Sequence, residues 1–393
     1  MKKSAQIHKA LTIFAYTVML TGMTLLLAVV FRYPQNHLIP RQMIPGVGIC
    51  VIVLLAAGAL WNKIYFLIGK RTPLYLLALA IFGVLLYITS LSRQGNENTL
   101  VDYTYVYRDA MNLATGGTLE YTDYFVTYSN NLKPMLLLSV WFRVAVLLGI
   151  SPFHFVLLRN VLLVLLVVWA CGYLTEQKGD CRWRFPILLT FAFLLPLWDM
   201  VSVFYTDSMS FGLGILALAL LKKAGSTKTN KGKILWSVLA GVTTILAIIW
   251  KITAIIPLIA GAMILLWQRE KADRRVLMQY AAAAIVFGVG LQLWANTYDV
   301  TRKAAVTANP VISWVALGMK EDGSWTNNTE LVEQMYQFST KEEKQQYCVE
   351  YIRENKADFF NAEHLRKKAS YNFANGNLGA SAFLNVEQND QTL

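Results

Sequence analysis

The chain has 393 residues, 55% of them hydrophobic, 15% charged, with a formal net charge of +12. Several apolar runs reach the roughly 17–25 residues that cross ~30 Å of hydrocarbon, which excludes a single soluble core. The basic excess lies between those runs and forms no aromatic-interleaved stripe, so it argues for loops facing anionic lipid and against nucleic acid as a partner. The four cysteines, Cys50, Cys171, Cys181 and Cys348, show neither metal-ligand spacing nor a disulfide framework.

The chain opens Met-Lys-Lys and turns apolar from Ala10 to Phe31. That run is too long for a signal-peptide core and lacks a small-residue cleavage site, so it reads as an uncleaved first span. Further spans are expected at 44–61, 74–92, 152–173, 185–203, 209–221, 234–250, 252–268 and 276–295. The fold class is therefore an all-α integral membrane protein with about nine transmembrane helices. With the N-terminus in the cytoplasm, the inner segments hold eighteen Lys and Arg residues against seven in the outer segments before the long C-terminal region, in the sense of the positive-inside rule. The run 134–149 is short, begins at Pro134 and carries Arg143 at its middle. It reads as an interfacial helix on the outer leaflet, since counting it as a span would invert the charge rule. The transmembrane module is then 1–295, with a first outer loop at 93–151. An extracytoplasmic, mostly helical region follows at 296–393.

Four features could carry chemistry. The first loop, from Arg93 to Pro134, is dense in tyrosine and carries Glu97, Asp102, Asp109, Glu120 and Asp123. Aromatics beside carboxylates at a water–lipid boundary suit sugar stacking and hydroxyl recognition, although tyrosines also populate membrane belts. Asp207, in FYTDSMS, lies in a short outer turn and either caps the next helix or faces the loop. Lys251 separates two 17-residue apolar arms and lands at the outer surface, where it could bind a phosphate or snorkel to lipid headgroups. An aromatic and glycine patch from Pro310 to Trp325, including Trp314, follows in the second outer region. Two carboxylates, one lysine and an aromatic lid on one side favour a phosphorylated, lipid-borne substrate.

At these residues the chain resembles the GT-C superfamily of polyprenol-dependent glycosyltransferases, near a protein O-mannosyltransferase-like branch of Gram-positive bacteria. VDYTYVYRDA looks like that fold's acidic first-loop element, with Asp102 in the acidic position, and YTD (Tyr205, Thr206, Asp207) like its second acidic element. YFVTYSNN, IIWKITAIIPLIA, NPVISWVALGM and KKASYNFANGNLGA add to the likeness, which spans roughly residues 80–380. The resemblance implies an inverting transfer of sugar from a polyprenyl-phosphate donor to a cell-envelope glycan, glycolipid or protein at the cell membrane. It implies Asp102 and Asp207 as catalytic residues. Lys251, Arg108, Tyr103, Asn130, Asn131 and Trp314 would bind substrate. The loop has no adjacent acidic pair, so no metal or other cofactor is assigned. Members of the superfamily usually carry further spans, so the chain reads as a truncated or split form. A lipid or glycan flippase and a non-catalytic envelope assembly protein are the alternatives.

Overall fold

The computed structural model describes residues 72–91, 102–176, 180–268, 273–320, 328–357, 359 and 361–373, with isolated positions between 17 and 25. The expected spans 10–31 and 44–61 lie outside the described residues. Two compact units result: one holds the described residues from 72 to 308, the other those from 309 to 373 together with the isolated positions between 17 and 25.

The first unit is a row of apolar helices. Five stretches among the described residues are long and apolar enough to cross a membrane. They are α1 (Thr72–Ser90), α5 (Pro152–Thr175), the stretch Thr206–Ser226, α10 (Asn230–Trp250) and α12 (Arg274–Ala295). The stretch Thr206–Ser226 is divided into α8 (Thr206–Ser210) and α9 (Leu213–Ser226). Helix α1 packs on α5, α5 on α9, α9 on α10 and α10 on α12. The end of the row is the more open: 56% of the apolar window of α5 is buried against 11% of that of α12.

The nine-span expectation is thus corrected among the described residues. The run 185–203 is not one helix but α6 (Arg184–Ala192) and α7 (Leu195–Met200). The physical reason is Pro196, which has no N–H to give the Ala192 carbonyl. That carbonyl accepts from the Trp198 indole nitrogen at 3.0 Å instead. The run 252–268 opens as a 3₁₀ turn, Ile252–Ile255, and continues as α11 (Ile256–Gln268), only ~20 Å long at 1.5 Å per residue.

Small residues set the closest approach in the row. A Cβ on Gly241 of α10 would stand 2.6 Å from the Tyr280 carbonyl and 2.9 Å from the Ala284 nitrogen of α12. Without a hydrophobic drive between helices in lipid, such backbone proximity supplies the packing. Gly212 adopts φ +62°, the left-handed conformation that starts α9, and its missing Cβ leaves room for Val167.

The first loop folds as α2 (Asp102–Ala114), α3 (Thr122–Thr127), a 3₁₀ turn at Ser129–Asn131, and α4 (Leu132–Leu147). The helix expected at 134–149 is therefore present as α4. It buries Met135, Leu138 and Phe142, packs on α2 and α5, and leaves Val140, Val144 and Leu147 exposed. Arg143 is not stranded: its guanidinium donates to the Leu113 carbonyl at 2.9 Å and so caps the end of α2. Helix α13 (Asp299–Thr307) returns to α3, and this unit runs on to Ala308.

The second unit contains α14 (Ile312–Leu317), α15 (Thr329–Tyr336), α16 (Lys341–Asn355) and α17 (Ala362–Phe373). Its core joins Leu317, Leu331, Met335 and Cys348. Helix α16 starts with a capping box in which Thr340 and Glu343 satisfy each other's backbone N–H. Burial pushes the Cys348 thiol up to about 11, which leaves it unreactive.

Candidate functional site

The first loop is arranged by α2. Helical periodicity puts Tyr103 and Tyr107 on one face, four residues apart, where their rings lie 5.6 Å apart against the core. Tyr103, expected to touch substrate, is fully buried instead. Tyr105 points to another face, stacks on Tyr124 at 4.4 Å and meets the edge of Tyr121 at 5.0 Å.

Asp109 holds the chain that returns to α2. It is buried, and its two carboxylate oxygens accept the backbone N–H groups of Glu120 at 2.8 Å and Tyr121 at 3.0 Å. Burial raises its pKa above the usual carboxylate value, although those two N–H groups pull the other way. Gly116, at φ +88°, allows the reversal between α2 and this anchor. The anchored chain sets Tyr121 beside Arg108, which donates to its hydroxyl at 3.0 Å.

Asn131, almost fully buried, sits at the junction of the loop and the YTD turn. Its amide donates to the Tyr124 hydroxyl at 2.6 Å and to the Tyr205 hydroxyl at 3.2 Å, and its carbonyl oxygen accepts from Asn130 at 3.1 Å. Tyr205 in turn donates to the Asp102 carboxylate at 2.9 Å, across 103 positions of sequence. Burial, then the neighbouring carboxylate of Asp102, drives the Tyr205 hydroxyl well above its ordinary range. Tyr124 moves the same way, chiefly through burial. Both hydroxyls therefore stay protonated and can donate.

Two residues further on, Asp207 forms an ion pair with Lys251. The capping role open to Asp207 is not the one observed: Tyr205 stands at the N-cap of α8, without a side-chain cap bond. Lys251 ends α10, its backbone extended at φ −160° and ψ 117°, which frees its side chain from the helical ridge.

Of the residues picked out in the sequence, Asp102, Asn130, Asn131, Asp207 and Lys251 meet around the YTD turn, with Arg108 on the tyrosine wall alongside. Trp314 stands exposed on α14 in the second unit. Asp109 was visible only as one acidic residue among several. Arg159 was passed over altogether, although a lone arginine inside an apolar run is a signal in its own right. Its guanidinium donates to the Asn160 side-chain oxygen at 2.9 Å and to the Met209 carbonyl at 3.4 Å. It lies 5.8 Å from the centre of the Trp141 ring.

A row of helices of bilayer-crossing length, whose apolar stretches carry few charged side chains, defines a polytopic integral membrane protein. The chain belongs to a family described as conserved hypothetical integral membrane proteins, whose model matches residues 7–382. No curated protein and no solved structure matches the chain.

Proposed function

We propose that the protein is a membrane glycosyltransferase that moves a sugar from a polyprenyl-phosphate donor to a cell-envelope acceptor on the outer face. One observation carries this reading: the Asn131–Tyr205–Asp102 hydrogen-bond chain and the Asp207–Lys251 pair share a single turn. Such a turn offers a carboxylate held in one orientation beside a cation at the end of an apolar helix. Asp102 is the general base. As the acceptor oxygen bonds to the anomeric carbon, its proton passes to Asp102 and the carbon–phosphate-oxygen bond breaks with inversion. The electron pair leaves on the phosphate, where Lys251 offsets the developing charge and Arg108 assists. Tyr205 orients Asp102, and Asp207 places Lys251. Tyr105, Tyr121 and Tyr124 offer ring faces for a sugar.

The test is transfer from a labelled polyprenyl-phosphate sugar in membrane vesicles. Asp102→Asn should lower turnover by about 10²-fold or more at matched expression. Lys251→Gln should also lower turnover. Its effect on stability should stay under about 1 kcal/mol, because an ion pair 42% and 45% exposed contributes little. Near-normal transfer by Asp102→Asn would remove that residue from the role.

A lipid transporter is the second reading. Arg159 inside a span and the break between α6 and α7 favour it, since transporters use intramembrane charge and discontinuous helices. The same vesicles separate the two: a new glycan product supports the transferase, and vectorial movement without product supports the transporter.

A further inference from the structure

Arg159 is the eighth residue of α5, ~10 Å from the start of that helix at 1.5 Å per residue. At that depth in a spanning helix an arginine needs an anion or a full set of acceptors. It has neither. Its partners among the described residues are the Asn160 oxygen, the Met209 carbonyl and the Met209 sulfur, all neutral, and both contacts to Met209 are long at 3.4 Å. A guanidinium carries five N–H donors and a full charge, and no carboxylate among the described residues pairs with it. The residue is only partly buried, so part of its surface is open to approach.

The surroundings say from where. Leu158, Leu162 and Leu166 follow one another at i, i+4 and i+8 on α5, beside Arg159, and are 47%, 50% and 48% exposed. On α4, Val140 and Val144 are also exposed, flanking Trp141. The apolar ridge starts level with Arg159 and runs away from the near end of the helix, toward the middle of the span.

We propose that Arg159 and the Leu158–Leu162–Leu166 ridge form a binding site for a phosphate-bearing membrane lipid that enters laterally. The phosphate meets the guanidinium in paired hydrogen bonds and neutralises it, and the chain lies along the leucines. Trp141 closes the site over the cation. This rests on the membrane placement of α5 and is independent of glycosyl transfer.

The test uses the full chain in detergent, with native mass spectrometry and three probes. Phosphatidylglycerol has head and tails, diacylglycerol has tails without phosphate, and glycerol phosphate has the head alone. Phosphatidylglycerol should bind at least tenfold more tightly than either fragment. Arg159→Gln should weaken phosphatidylglycerol about tenfold or more, the loss of charge-assisted hydrogen bonds, and leave diacylglycerol unchanged. Arg159→Lys should fall between them. Leu162→Asn should weaken both tailed probes, with the thermal midpoint of the lipid-free protein unchanged. Equal binding of phosphatidylglycerol and diacylglycerol to the unaltered chain overturns the proposal even if Arg159→Gln does not fold. So does full-strength phosphatidylglycerol binding by Arg159→Gln.

Discussion

Asp109 illustrates how one side chain can set a whole loop. Both of its oxygens are committed to backbone N–H groups, and those two bonds bring Tyr121, and with it Tyr124, back onto α2. Asp109→Ala leaves two amides without partners and should cost about 2 kcal/mol or more, read from the thermal midpoint. The pH dependence follows from its raised pKa. The folded carboxyl takes up a proton more readily than the unfolded one, so its contribution is fully present at low pH and declines as pH rises above about 4 through the raised value. The unaltered protein should therefore gain stability relative to Asp109→Asn between pH 7 and pH 4. A difference that stays constant over that range would show that burial of Asp109 has no net charge cost. Asp102 differs in kind: it is partly exposed, and its bond to Tyr205 orients it without enclosing it.

At the scale of elements, the helix row is closed by contacts that only small residues permit. Gly241 and Gly290 make the point because they stand on neighbouring helices in opposite settings. A Cβ at Gly241 meets the backbone of α12, whereas nothing lies within 4 Å of one at Gly290. Gly241→Ala should cost about 1–3 kcal/mol by forcing α10 and α12 apart. Gly290→Ala should be neutral or stabilising by up to about 1 kcal/mol, because alanine is the better helix former. Thermal midpoints of the two variants in one detergent check both signs, and equal shifts would remove the close approach as a source of stability. The division between α6 and α7 belongs to the same scale. A proline in an apolar run was legible, but a proline can kink a spanning helix without ending it. The indole of Trp198 settles the outcome by taking the carbonyl that Pro196 leaves open.

For the whole molecule, the bond between Tyr205 and Asp102 requires the first loop and the YTD turn to share one side of the membrane. Single cysteines at the exposed positions Asp123 and Asp207, in a background with the native cysteines replaced by alanine, should label from the same side. A cysteine at Lys228, beyond α9, should label from the other. Opposite labelling of 123 and 207 would separate the residues on which the proposed transfer depends.

The all-helical class, the apolar runs and the points where polarity returns are properties of the sequence by itself. Hydrocarbon admits only segments that satisfy their own backbone, so length and hydropathy find most of them, but not the break inside 185–203 or the short helix after Lys251. The acidic residues, Lys251 and the asparagines were legible as types at the ends of such runs. Which of them meet was not, because Tyr205 and Asp102 are joined across 103 positions and no local pattern encodes that distance. Tertiary packing alone decided that Tyr103 turns to the core, that Asp109 anchors the loop and that the partners of Arg159 among the described residues are neutral. Each outcome depends on which neighbour supplies or withholds an acceptor, and that is a matter of three-dimensional proximity.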